Sequence, residues 1–103
     1  MIYELRIYTC HPGAVAKVLA MWQEEGQEML APYFNLKGQW VSESGTCNQI
    51  YSLWEFEDMN HRNEMRRQLL QHPGFMDYLE RCRAHYVSQE AIFLRPTDLS
   101  PLK

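Results

Sequence analysis

Apolar and polar positions recur at two different periods along this chain, and the changes of period divide it into elements. From Ile2 to Thr9 the period is two, with Tyr3, Leu5 and Ile7 on one side and Ile2, Glu4, Arg6 and Tyr8 on the other. Cys10-His11-Pro12-Gly13 then reads as a turn, and Pro12 suits the first turn of a helix, where its missing N–H would be unpaired anyway. From Pro12 to about Tyr33 the period is helical: Val15, Val18, Leu19, Trp22, Met29, Leu30 and Tyr33 recur at spacings of three and four. Gly26 falls near that stripe, which predicts a close approach of the helix backbone to a sheet. Pro32 predicts the end of the helix or a kink near its last turn.

Asn35-Leu36-Lys37-Gly38 reads as a connector. Two strands follow, Gln39 to Glu43 and Asn48 to Phe56, joined by a turn around Gly45. The second strand puts Ile50, Ser52, Trp54 and Phe56 on one side and Gln49, Tyr51, Leu53 and Glu55 on the other, so both sides carry large apolar groups and both are expected to be covered. Asp58 is a good cap for a helix from about Met59 to Gln71, with Met65, Leu69 and the stem of Arg62 on its buried side. His72-Pro73-Gly74 breaks it. A further helix, about Pro73 to His85, presents Phe75, Tyr78, Leu79 and Cys82 at helical spacing, and a last strand covers Tyr86 to Leu94.

The order β-α-β-β-α-α-β predicts an α+β, ferredoxin-like fold with a four-stranded antiparallel sheet. Residues 1–96 form its single domain, and 97–103 a tail without a core pattern. The helices of this plan cover one face of the sheet. Apolar residues on both sides of the strands therefore predict a homodimer, packed sheet against sheet about a two-fold axis as a dimeric α+β barrel.

A chain of 103 residues with 46% hydrophobic and 22% charged residues belongs to the ordinary globular class. No apolar run reaches the roughly 18 residues that cross a bilayer, so no membrane span is expected, and without a leader a cytoplasmic location is. A net charge of -3 argues against nucleic acid as a partner. Arg62, Arg66 and Arg67, interrupted by Glu64, read as a solvated helix face. Three cysteines without close spacing, Cys10, Cys47 and Cys82, read as reduced thiols.

Candidate chemistry is sparse. Glu4, Arg6 and Tyr8 share a strand side, which is expected to face the space between two sheets. There Arg6 and Tyr8 serve as an anion or carbonyl clamp, or Glu4 and Arg6 as a structural ion pair at the dimer seam. Glu43 and Asn48 bracket the hairpin turn, where Asn48 also suits the turn backbone. Trp54 and Trp40 line an aromatic pocket or simply belong to the core. The four histidines lack metal-binding spacing, and no phosphate loop, nucleophile elbow or activated cysteine is present, so neither metal nor cofactor is expected.

Tyr3-Glu-Leu-Arg-Ile-Tyr-Thr9 with Pro12-Gly13 resembles the opening of NIPSNAP-family domains. So do Gly38-Gln-Trp-Val-Ser-Glu-Ser-Gly45, Asn48-Gln-Ile-Tyr-Ser-Leu-Trp-Glu-Phe56, Arg62, His72-Pro73-Gly74-Phe75 and the stretch from Gln89 to Pro96. The chain departs from that pattern at Cys47, where the family usually has leucine or a similar residue. The resemblance covers nearly the whole chain and implies the dimeric α+β barrel shared with small antibiotic-biosynthesis-type monooxygenases and haem-degrading enzymes. It implies no catalytic set, because the family's biochemical role is poorly defined. The leading expectation is a homodimer that binds a small apolar or aromatic molecule in the cleft between sheet and helices, lined by Arg6, Tyr8, Glu43, Asn48, Tyr51 and Trp54. Two rivals are a cofactor-independent monooxygenase and a non-enzymatic dimeric scaffold.

Overall fold

The computed structural model describes all 103 residues. The chain runs β1 (Ile2–Cys10), α1 (Val15–Met21), a π-helical turn (Trp22–Gly26), α2 (Gln27–Leu30), β2 (Asn35–Val41), β3 (Gln49–Phe56), α3 (Met59–Leu70), α4 (Phe75–Arg83) and β4 (Tyr86–Leu94). The strands form one antiparallel sheet in the order β2-β3-β1-β4. This is the ferredoxin-like arrangement expected from the sequence.

Local differences have local causes. β2 begins at Asn35 and not at Gln39, because the polar segment read as a connector pairs with β3 through a register shift between Leu36 and Gly38. Such a bulge breaks the period of two on which strands are recognised. The first helix begins at Val15, after a turn in which the Ala14 N–H donates to the His11 carbonyl at 2.9 Å. Pro12 lies in that turn and not in the helix. Between α1 and α2 the ladder widens, and the Gln27 N–H donates to the Trp22 carbonyl five residues back. Gly26 is needed for Tyr78 of α4 and not for the sheet: a Cβ there would overlap the Tyr78 hydroxyl and the Trp22 ring.

The helix-facing side of β3 is Ile50, Ser52, Trp54 and Phe56, all buried. Trp54 and Phe56 pack with Leu30, Leu69, Phe75, Tyr78 and Cys82 in the main core, while Ile50 joins Cys10, Ala14 and Val18 in a smaller one. Trp22 and Phe34 meet Trp54 edge-on, with ring centres 5.8 and 5.4 Å away. Asp58 caps α3 as expected, accepting from the His61 N–H at 2.7 Å. Arg81 ties α4 to the π-helical turn through a two-point pair with Glu25, at 2.7 and 2.5 Å.

Register then fixes both faces of β1. Glu4 pairs across with Trp54, and Tyr8 with Ile50, so Ile2, Glu4, Arg6 and Tyr8 face the helices. This corrects the expectation that they face a space between two sheets. The outer side carries Leu5 opposite Leu53 and Ile92, and Ile7 opposite Tyr51. Trp40, opposite Tyr51, is 54% exposed and lies over Gly38. The C-terminal tail is not idle either. Pro96, Thr97 and Leu102 line a groove with Tyr3, Leu53 and Leu94 at one corner of that outer face.

Alanine is the better helix former, by about 1 kcal/mol over glycine. Overpacking at a filled site costs about 1–3 kcal/mol, so Gly26→Ala is expected to destabilise the protein in urea unfolding. Adding Tyr78→Phe, which removes the overlapping oxygen, recovers part of the loss.

Candidate functional site

The site is built on a carboxylate in an improbable place. Glu4 lies within β1, a central strand, and is 0% exposed. An isolated carboxylate there would cost far more than the fold can spare, so it must be paired. Arg62, one turn into α3, donates from Nε to Glu4 Oε1 and from Nη2 to Oε2, both at 3.0 Å. Arg6, two residues along β1 on the same side, donates from Nη1 to Oε2 at 3.0 Å. The two guanidiniums also lie near aromatic rings, Arg6 5.7 Å from the centre of Tyr8 and Arg62 5.1 Å from that of Phe93. Burial pushes the Glu4 carboxyl up, but the hydrogen bonds and charges of Arg62 and Arg6 outweigh it and hold the group below its ordinary range.

Beside this cluster lies a cavity between sheet and helices, in two adjoining parts. The apolar part, about 80 Å³, is walled by Val18, Leu19, Trp22, Ile50, Tyr78 and Tyr86, among others. The second part, about 60 Å³, opens among Arg6, Arg66, Arg83 and Gln89. Tyr8, Leu30, Trp54, Phe75 and Leu79 border both. Tyr8 stacks on Tyr86, ring centres 4.7 Å apart. Burial raises the hydroxyls of Tyr8, Tyr78 and Tyr86 and the thiols of Cys10 and Cys82, so at neutral pH these groups stay protonated. None is an activated nucleophile. The arrangement can bind and orient a molecule that is apolar at one end and negative at the other.

Of the residues proposed from the sequence, Arg6, Tyr8 and Trp54 come together here. The other three do not. Glu43 is exposed in the bend after β2. Asn48 adopts a left-handed backbone (φ 62°), and its carbonyl accepts from the Cys10 N–H at 2.8 Å, the turn role. Tyr51 lies on the outer side of β3, its hydroxyl donating to Gln49 Oε1 at 2.7 Å. Conversely, Arg62 and Arg66 are not part of a solvated face; only Arg67 is, paired with Glu64. The signal was their spacing: Arg62 and Arg66 lie four apart on the same helix stripe as Met65 and Leu69.

Element order and sheet topology define the class, a ferredoxin-like α+β domain whose fold is also that of antibiotic biosynthesis monooxygenases. A solved structure of one such enzyme superimposes with a TM-score of 0.69 at 14% identity, over 94% of this chain and 99% of that one, which shows the fold alone. The family is narrower: residues 3–101 match the NIPSNAP model, and the chain belongs to the NIPSNAP family. Similar solved structures include a NIPSNAP domain protein from Burkholderia xenovorans (TM-score 0.94, 32% identity, 98% of this chain and 99% of that one). A nipsnap family protein with unknown function from Agrobacterium tumefaciens is also similar (TM-score 0.95, 31% identity, 100% and 94%). Among curated relatives, Protein NipSnap homolog 3A of Homo sapiens is 27% identical over 107 residues, covering 99% of this chain. The chain spans only 42% of that relative's length.

Glu4→Gln leaves two guanidiniums without their counter-charge and is expected to cost about 3 kcal/mol in chemical denaturation at pH 7. Because the folded carboxyl titrates below its ordinary value of 4.5, Glu4 contributes its full stability above that pH and loses it as pH falls through the lower folded value. The stabilities of wild type and Glu4→Gln therefore converge in acid.

Proposed function

We propose that this NIPSNAP-family chain is a homodimeric small-molecule-binding protein, with one ligand in the cleft between sheet and helices of each protomer. The observation that carries this reading is the aromatic-walled cavity ending on a cluster of arginines. A scaffold that only presents helices to partners needs neither. Glu43, Asn48 and Tyr51 drop out of the proposed lining; Arg6, Tyr8 and Trp54 stay in it.

The dimer rests on the outer side of the sheet, where Trp40, Tyr51, Leu53, Leu5, Ile7 and Ile92 offer an apolar surface that the protomer's helices cannot reach. At ~25 cal/mol per Å², burying on the order of 800 Å² per partner supplies a stable association. The three free cysteines, two of them buried, favour a reducing cytoplasmic setting. A second reading, oxygenation of an aromatic substrate without a cofactor, is favoured by the apolar chamber. Solved structures of like fold include SnoaB, a cofactor-independent oxygenase from Streptomyces nogalater. Oxygen uptake with quinol substrates, absent in Trp54→Ala, would select it.

Light scattering after size exclusion is expected to give twice the 12.3 kDa chain mass. Ile7→Arg, which plants a charge in the middle of the outer face, should shift the protein to single chains; a wild type that elutes as one chain rejects the dimer. For the cavity, a ligand at 100 times its Kd stabilises by about 2.7 kcal/mol, readily seen as a thermal shift. That shift should vanish in Trp54→Ala.

A further inference from the structure

The arginines around the cavity are not balanced. Arg62 and Arg6 share Glu4, Arg67 has Glu64, and Arg83 has Glu80 at 2.9 Å. Arg66 has neither an ion pair nor a hydrogen bond, although it is half-buried and lines the polar part of the cavity. Its nearest charged neighbours include Arg62 and Arg6, so burial and like charge both push its guanidinium down. A second donor nearby is also unspent: the Arg6 Nε–H is buried and donates to nothing. Arg66 thus shares its surroundings with two further cations, Arg62 and Arg6, and with one carboxylate, Glu4, whose two oxygens already accept three hydrogen bonds from those two. Natural interiors keep few such donors unpaired, and a forked guanidinium is shaped to meet a planar two-oxygen anion.

From this juxtaposition we infer that the cleft's ligand is a compact organic carboxylate, its acid group on Arg66 and Arg6 and its ring or branched hydrocarbon between Trp54, Tyr8 and Tyr86. The inference rests on the ligand-binding reading above and names the class of ligand. Size sets the scale: benzene fills an engineered cavity of about 150 Å³. The two parts here, about 80 and 60 Å³, are together no larger than that, so they set one ring as the upper limit, with the acid group at the open, polar side, and exclude a fused polycycle. Tyr8, bordering both parts, lies where ring and acid would join. Gln89, on the polar side, offers an amide donor to the second carboxylate oxygen.

The test is a matched series of probes: benzoate, phenylacetate and 3-phenylpropionate, each with its neutral amide, followed by calorimetry and thermal shift on wild type, Arg66→Gln and Arg66→Lys. At least one acid should bind the wild type more tightly than its amide. Arg66→Gln should weaken that acid about 10- to 100-fold, the worth of one charge-assisted hydrogen bond, while leaving amide binding unchanged. Arg66→Lys should restore part of the loss. Without ligand, Arg66→Gln should unfold at or above the wild-type temperature, because it relieves repulsion; a loss like that of Glu4→Gln would make Arg66 structural and overturn the inference. Acids and amides binding equally would overturn it while leaving the cleft reading standing. Binding by none of the probes overturns it too, and the cleft reading then falls only if a broad neutral ligand screen is also silent.

Discussion

One ion pair between the sheet and a helix sets most of what matters in this molecule. Glu4 belongs to a central strand and Arg62 to α3, and the two-point bond between them fixes both the distance and the rotation of that helix. Rotation has a consequence for chemistry. Residues four apart on a helix share a side, so turning Arg62 toward Glu4 also turns Arg66 toward the sheet. Arg67, one residue on and about 100° around the axis, is left in solvent with Glu64. A contact that looks purely structural thereby aims a second cation at the cavity. The cost of burying the first carboxylate and the electrostatics of the cleft are a single arrangement.

The element order was legible because each change of period was sharp, and the sheet topology followed from it. β1 misled in a specific way. With Tyr3, Leu5 and Ile7 on one side and Glu4, Arg6 and Tyr8 on the other, the strand gives no local sign of which side meets its own helices. The deciding fact is Arg62, 58 residues away from Glu4. The start of β2 was hidden by the bulge at Leu36 to Gly38, and the π-helical turn left no mark beyond Gly26. For that glycine the need for space was legible, but the neighbour that fills it, Tyr78, was not.

The cleft was half legible for a related reason. Arg6, Tyr8 and Trp54 stand on strands whose alternation fixes their side once one residue's side is known. Tyr86 and Gln89 come from β4, whose register slips between Thr9 and Cys10 of β1, so counting by twos places Tyr86 on the wrong side. Glu43 and Asn48 bracket the hairpin turn, and Tyr51 stands on the strand that leaves it. The hairpin carries Glu43 and Asn48 to the end of the sheet, and alternation sends Tyr51 to its back.

That alternation also limits what the sheet can become. Along β1, Glu4, Arg6 and Tyr8 serve the cleft, while Leu5 and Ile7 are the apolar centre of the outer face. A slip of one residue against β3 would exchange the two sets, putting two charges on the apolar back and stripping Arg62 of its partner. Neither side could accept that. The outer face and the cleft therefore enforce one register from opposite directions. A substitution that weakens the Glu4 pair acts on the cavity from a distance as well, by loosening the register and helix rotation that hold Arg66 and Tyr8 in place, besides removing the negative charge beside Arg6.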